Sequence, residues 1–200
     1  MILLACAVQA ELAFWQPREG VEMLVMGVGP VEAAAAVSDA LARREYRLVV
    51  NAGLAGAFDD AANIGDGVIV AEDTMELALE DGATIALPRG ERVADRAQSD
   101  PTLVAHLATA GFPALRGITV ARVTSTEATA QRLAALGAQV ETMEGFAALR
   151  AAQRARVPAI EIRGISNRCG SRERSGWDFG GGIVGLKRVA NALFDAALVE

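Results

Sequence analysis

Apolar residues in this chain fall in short continuous blocks, separated by longer stretches where they recur at helical spacing. Ile2 to Val8 and Val21 to Val28 read as strands, as do Leu48 to Leu54 and Val68 to Ala71. Leu115 to Thr124, Gln139 to Thr142 and Ala159 to Ile165 complete the set. Blocks without polar alternation belong to strands covered on both faces. Between them the spacing predicts helices over Val31 to Glu45, with Pro30 in the first turn, and over Glu144 to Arg154 and Ile183 to Val199. Asp100 is placed to cap a helix running to Ala110, and Ser125 or Thr126 one running to Leu136. Thr74 to Leu87 is open between several readings, a strand pair among them. Asp59 to Gly67 and Pro88 to Gln98 are polar and predict loops.

Strands alternating with helices predict a mostly parallel sheet with helices on both faces. At 200 residues, with no internal repeat or linker, the chain reads as one domain over residues 1–200. Aromatics are only 4% of it, so each is worth locating. The net charge of −6 opposes a nucleic-acid partner, whose phosphates need a basic surface. No apolar run approaches membrane-spanning length. Leu3-Leu4-Ala5-Cys6 resembles a lipoprotein box, but no basic segment precedes it, and a buried first strand is the simpler reading. Two cysteines, Cys6 and Cys169, make no disulfide framework and fit a reducing, cytoplasmic compartment.

Candidate chemistry gathers where strands run out, the edge at which open α/β sheets bind ligands. Glu11 follows the first strand, where its carboxylate would either activate a water or sit solvated in a loop. Gly27-Val28-Gly29-Pro30-Val31-Glu32 is half a dinucleotide fingerprint, with Glu32 in place of the third glycine. An acidic side chain there would repel pyrophosphate, so a tight turn is the better reading. Gly53, Ala55 and Gly56 let backbone approach either a ligand or a neighbouring helix. Glu144, beside Met143 at a strand-to-helix junction, can accept both hydrogen bonds of a vicinal diol or simply cap the helix.

The segment from Gly164 to Trp177 carries the richest pattern. Asn167 offers a donor and an acceptor on adjacent atoms, matching the edge of a 6-oxopurine. Arg168, Arg172 and Arg174 could fork onto a carboxylate, or form a basic surface loop. His106, the single histidine, sits mid-helix without a nucleophile elbow elsewhere. No Cys/His cluster has metal-ligand spacing.

The order of these motifs resembles the nucleoside phosphorylase and nucleosidase family across nearly the whole chain. The resemblance is carried by the early Glu, Gly-Val-Gly-Pro, Asn51-Ala-Gly-Leu-Ala-Gly-Ala-Phe58 and Gly65-Asp-Gly-Val-Ile-Val70. Glu141-Thr-Met-Glu-Gly145 and Gly164-Ile-Ser-Asn167 follow them. It implies a three-layer α/β/α sandwich around a central mixed, mostly parallel sheet. It implies a substrate that is a small-molecule purine nucleoside, no cofactor and no metal, no nucleic acid or membrane partner, and a homodimer or higher homo-oligomer. Glu11 would activate water, Met143 and Glu144 would hold the ribose, and Asn167 would meet the base, making Glu11, Glu144 and Asn167 the catalytic set. Gly53, Ala55, Gly56, Met143, Arg172 and Trp177 would bind substrate.

Three departures refine this. Asn51 and Leu54 stand where phosphorylases of the family have a phosphate-binding Arg and Ser, which favours water as nucleophile. Asn167 stands where adenine-specific relatives have an aspartate, which favours a 6-oxopurine. The base-stacking aromatic of the relatives falls near Ala128 or Thr129, leaving Phe14, Trp15 or Trp177 to supply that surface. The segment after Asn167 resembles a branch of hydrolases whose nucleoside carries a carboxylate on its sugar extension, met here by Arg172 with Arg168 or Arg174. A methylthioadenosine/S-adenosylhomocysteine nucleosidase, a purine nucleoside phosphorylase and a non-catalytic nucleotide-binding module are the alternatives.

Overall fold

The computed structural model describes residues 1–80, 82–170 and 176–196. Its elements in chain order are β1 (Ile2–Cys6), β2 (Val21–Val25), α1 (Pro30–Arg43), β3 (Leu48–Ala57) and β4 (Gly67–Met75). Next come β5 (Arg96–Gln98), α2 (Pro101–Thr109), β6 (Ala114–Thr119), α3 (Glu127–Ala135) and β7 (Val140–Thr142). The chain closes with α4 (Gly145–Ala155), β8 (Ala159–Arg168) and α5 (Phe179–Phe194).

Eight strands form one mixed sheet in the order β2-β1-β3-β7-β6-β4-β5, with β8 pairing both β3 and β4. The pairs β1–β2, β1–β3, β3–β8, β4–β6 and β6–β7 are parallel; β3–β7, β4–β8 and β4–β5 are antiparallel. Strands β3, β7, β6, β4 and β8 therefore close a ring within the sheet. The mixed α/β architecture expected from the sequence is present; the ring closure was not legible there, because periodicity does not say which strands pair.

The layers follow from the pleat. Side chains of Ile2, Leu4 and Cys6 join one core with Val50, Ile160, Ile162 and the α5 residues Leu186, Val189 and Leu193. Leu3 and Ala5 point the other way, into a core with Val37 of α1 and Ala148, Ala151 and Ala152 of α4. A strand with apolar residues at every position feeds both faces, since successive side chains point in opposite directions. Alanine keeps the α1–α4 layer thin. On the other side α5 meets β8 backbone to backbone: a Cβ on Gly164 would lie 1.9 Å from the Gly182 carbonyl oxygen.

Several boundaries differ from the sequence reading. The glycine-rich segment 51–57 is not a turn but the second half of β3, laddered to β8 through a bulge between Ala55 and Gly56. Small side chains allow that close pairing and hide it from a hydrophobic pattern. Strand β8 likewise continues past Ile165, so Asn167 lies within it. Strand β6 ends at Thr119, well before Thr124, and the polar loop contains the short β5. Helix α5 starts at Phe179, four residues early, with Asp178 as its cap, accepting from the Gly181 N–H at 2.8 Å. The predicted caps Asp100 and Thr126 are both in place. Among the described residues no helix is long and apolar enough to cross a membrane.

Candidate active site

A cavity of about 410 Å³ opens where β1, β3, β7 and β8 end. Its wall includes Glu11, Leu54, Ala55 and Gly56, Glu141 to Glu144, Ser166 and Asn167, and Trp177 and Phe179. Glu11, Ala55, Gly56, Met143, Glu144, Asn167 and Trp177, dispersed over the sequence, are thus gathered in one place. Gly53 lies beneath the wall rather than in it. Arg172 falls outside the described residues, as does Arg174.

At one end the carboxylates are held by backbone. Glu11 stands on a short 3-10 turn, Gln9–Leu12, directly after β1. Its Oε2 accepts from the N–H groups of Ala7 at 3.0 Å and Val8 at 3.2 Å, and its Oε1 from Leu54 N–H at 2.9 Å. Glu144 is 5% exposed and precedes α4, yet its side chain makes no cap. It crosses instead to the Gly27–Gly29 turn, where Oε1 accepts from Gly29 N–H at 2.8 Å. Gly27 and Gly29 have φ of +90° and +98°. That left-handed backbone, cheap for glycine, aims the amide at Glu144. The half-fingerprint therefore orients a carboxylate.

Arg163, 1% exposed, lies within electrostatic reach of both carboxylates. Its Nε donates to Glu161 Oε1 at 2.8 Å, and Glu161 is fully buried. A methyl on Gly53 would sit 2.4 Å from Arg163 Nη1 and 2.9 Å from Glu11 Oε1, so only glycine leaves room for both groups. Burial pushes the Glu144 carboxyl above its ordinary value, and Arg163 opposes that shift. Sequence reasoning missed Arg163, taking 159–165 as an apolar strand. The signal was present: Glu161 and Arg163, two apart, share one face of a stretch, 159–165, whose other residues are apolar.

A second polar cluster supports this end from below. Asp73, fully buried, accepts from Thr119 Oγ1 at 2.8 Å and Thr142 Oγ1 at 3.0 Å. Those hydroxyls in turn accept from Phe146 N–H at 2.7 Å and Gly145 N–H at 3.2 Å, the first amides of α4. The helix start after Glu144 is thereby pinned without a capping side chain of its own. A Cβ on Gly145 would overlap both Asp73 and Glu161, at 2.2 Å and 2.5 Å. Burial first, and the Glu161 charge next, hold the Asp73 carboxyl well above the usual range.

The other end is more open. Asn167, 4% exposed, accepts from Ser166 Oγ at 2.9 Å and donates from Nδ2 to Arg168 O at 3.2 Å. One amide N–H and further acceptor capacity remain. Asp178 N–H donates to Ser166 O at 2.7 Å and ties the chain bearing Trp177 beside that strand. Trp177 stacks on Phe179, ring centroids 5.2 Å apart. Phe14 and Trp15 are elsewhere: Trp15 packs on Phe194 at 4.6 Å beneath Arg18, and Phe14 joins the same core. Phe179 is a lining aromatic that the sequence reading did not single out. Arg168 bonds outward to the Asp59 carbonyl and to Asp60 Oδ1 at 3.1 Å. His106 sits in α2 and is not part of the wall.

Residues 17–197 match the phosphorylase superfamily. The chain is 34% identical over 178 residues to a futalosine hydrolase of Streptomyces coelicolor, covering 84% of this chain and 76% of that one. It is 40% identical over 182 residues to a futalosine hydrolase of Acidothermus cellulolyticus, covering 86% and 74%. Among solved structures it resembles a methylthioadenosine/S-adenosylhomocysteine nucleosidase of Helicobacter pylori, with TM-score 0.83, 14% identity and 97% of each chain covered. The corresponding enzyme of S. pneumoniae gives TM-score 0.81 at 19% identity, covering 98% of each chain. At such identities these two structures establish the fold.

Proposed function

The chain belongs to the phosphorylase superfamily and groups within it with the futalosine hydrolases, and from that premise we propose that it hydrolyses the N-glycosidic bond of futalosine. The enzyme is an N-glycosyl hydrolase. The products are hypoxanthine and dehypoxanthine futalosine, and the step belongs to menaquinone biosynthesis. The observation that carries the reading is the cavity itself, with Glu11 and Glu144 at one end and a neutral amide, Asn167, at the other.

Breaking this bond develops positive charge on the sugar and negative charge on the leaving base, and a site works by stabilising both. Glu11 orients and deprotonates the attacking water at the anomeric carbon. Glu144 accepts from the ribose hydroxyls and offsets oxocarbenium charge, while the buried Arg163 offsets the charge of both carboxylates. Asn167 hydrogen-bonds the departing 6-oxopurine, with Trp177 or Phe179 supplying a stacking face. Water as nucleophile is supported at Leu54: its side chain brings no hydroxyl, and its N–H already serves Glu11 rather than an anion. The enzyme is read as cytoplasmic and homo-oligomeric; Val8, Val28 and Val123, 42%, 56% and 42% exposed along the cavity wall, support association, which light scattering tests.

The test is incubation with futalosine, inosine and methylthioadenosine, with and without phosphate, following free base. Rapid phosphate-independent release of hypoxanthine from futalosine is expected. Release that requires phosphate identifies a phosphorylase, and preference for methylthioadenosine identifies the adenine-type nucleosidase.

A further inference from the structure

Glu141 is the lining carboxylate to which the mechanism above gives no task. In the sheet it stands opposite Gly56 across the antiparallel β3–β7 pair, and Asn167 stands opposite the same glycine across the parallel β3–β8 pair. Residues in register on neighbouring strands present their side chains to the same face. Glu141 and Asn167 therefore flank Gly56, which has no side chain to separate them. The Asn167 amide already overhangs the glycine: a Cβ there would lie 2.9 Å from Asn167 Nδ2 and 2.7 Å from Cys169 Sγ. Burial and then the Glu141 charge raise the Cys169 thiol, which stays protonated and uncharged on the floor of this slot.

Glu141 is 6% exposed. Its Oε1 accepts from Thr124 N–H at 3.0 Å and its Oε2 from Thr124 Oγ1. Two donors leave acceptor capacity on a carboxylate, which has about four lone-pair sites. Among the described residues no lysine or arginine forms an ion pair with it. A buried carboxylate on a cavity wall, without a cation but with unused lone pairs, calls for a donor from the cavity.

We infer that Glu141 is a specificity-determining residue that accepts the ring N–H of a 6-oxopurine, while Asn167 takes the neighbouring oxo group. This rests on the reading that a purine occupies the Asn167 end of the cavity. A 6-oxopurine carries an N–H at ring position 1 beside its oxo oxygen; a 6-aminopurine carries a lone pair there beside an amino donor. An asparagine has both a donor and an acceptor, and by itself pairs with either base. An ionised carboxylate only accepts, so it matches the first and repels the second. Discrimination thus comes from Glu141 acting together with Asn167.

The experiment is calorimetric titration of the whole protein with free hypoxanthine and free adenine, for wild type, Glu141→Gln and Thr124→Val, each checked by circular dichroism. Glu141→Gln should weaken hypoxanthine by about ten- to a hundredfold, the range for a hydrogen bond to a charged group, and leave adenine unchanged or tighter. Thr124→Val, which loosens the loop but keeps the carboxylate, should move both bases by one common factor. An unchanged hypoxanthine-to-adenine ratio in Glu141→Gln overturns the inference and makes Glu141 a prop for the 120–126 loop. The hydrolase reading fails separately: a wild type that releases no base from any nucleoside, yet shows the ratio shift, refutes that reading and upholds this one. Absence of purine binding in wild type overturns both.

Discussion

At one end of the cavity Glu11 accepts three backbone N–H groups and Arg163 is sealed against Glu161, whereas at the other Trp177 and Phe179 stand 44% and 56% exposed above Asn167. The first end fixes charges before any ligand arrives. Preorganised charge in a site with little water stabilises a transition state without reorganisation. The second end offers aromatic faces and an amide, which read shape and hydrogen-bond pattern. On the proposed reading, bond-breaking belongs to the buried end and substrate choice to the open one, and this division can be broken by mutation.

The largest effects belong to the buried end. Glu11→Gln and Glu144→Gln should each lower kcat by at least about 10²-fold, the lower bound for general-base assistance, with folding retained. Steady-state kinetics beside a melting curve checks this, and an unchanged kcat removes that residue from the mechanism. Arg163→Met leaves Glu161 buried without its partner and should cost about 3–5 kcal/mol of stability, read by urea unfolding. Adding Glu161→Met should restore most of that stability but not kcat, because the arginine's charge also acts on Glu11 and Glu144.

The open end should respond in preference rather than in rate. Asn167→Asp should reduce kcat/KM for inosine and raise it for adenosine, moving their ratio by about ten- to a hundredfold. A parallel fall for both nucleosides would erase the division between the two ends.

The smallest effect lies under the buried end and is a matter of pH. Because the folded Asp73 carboxyl titrates well above 3.8, its contribution to stability is complete below that value and lost as pH rises through the folded one. Asp73→Asn, which keeps a bond to each threonine, should flatten this dependence. The melting-temperature difference, mutant minus wild type, should grow as pH rises above 3.8. A constant difference would mean that the proton on Asp73 does not couple to folding.

Much of this was legible in the sequence. Glu11, Glu144 and Asn167 could be picked out because each polar residue interrupts or ends an apolar block, where core packing gives it no role, and Met143 because it adjoins Glu144. Arg163 was hidden for the converse reason: a charged side chain inside a strand is normally excluded by desolvation, and only its pairing with Glu161 reverses that. Gly53 looked like a ligand-approach glycine, yet its missing Cβ makes room for a protein side chain. Phe179 and the Glu141–Thr124 contact depend on loops whose paths leave no periodic trace. The sheet's ring closure required knowing that β8 pairs on both edges, and strand pairing over more than a hundred residues is not written in local spacing.

The account turns on which end of the cavity takes the sugar. A crystal structure of the Glu11→Gln variant, slowed enough to hold intact futalosine, tests this most directly. The ribose diol should lie within hydrogen-bonding distance of Glu144 and the hypoxanthine edge should face Asn167. A base seated on Glu144, or a nucleoside bound outside this cavity, would contradict it.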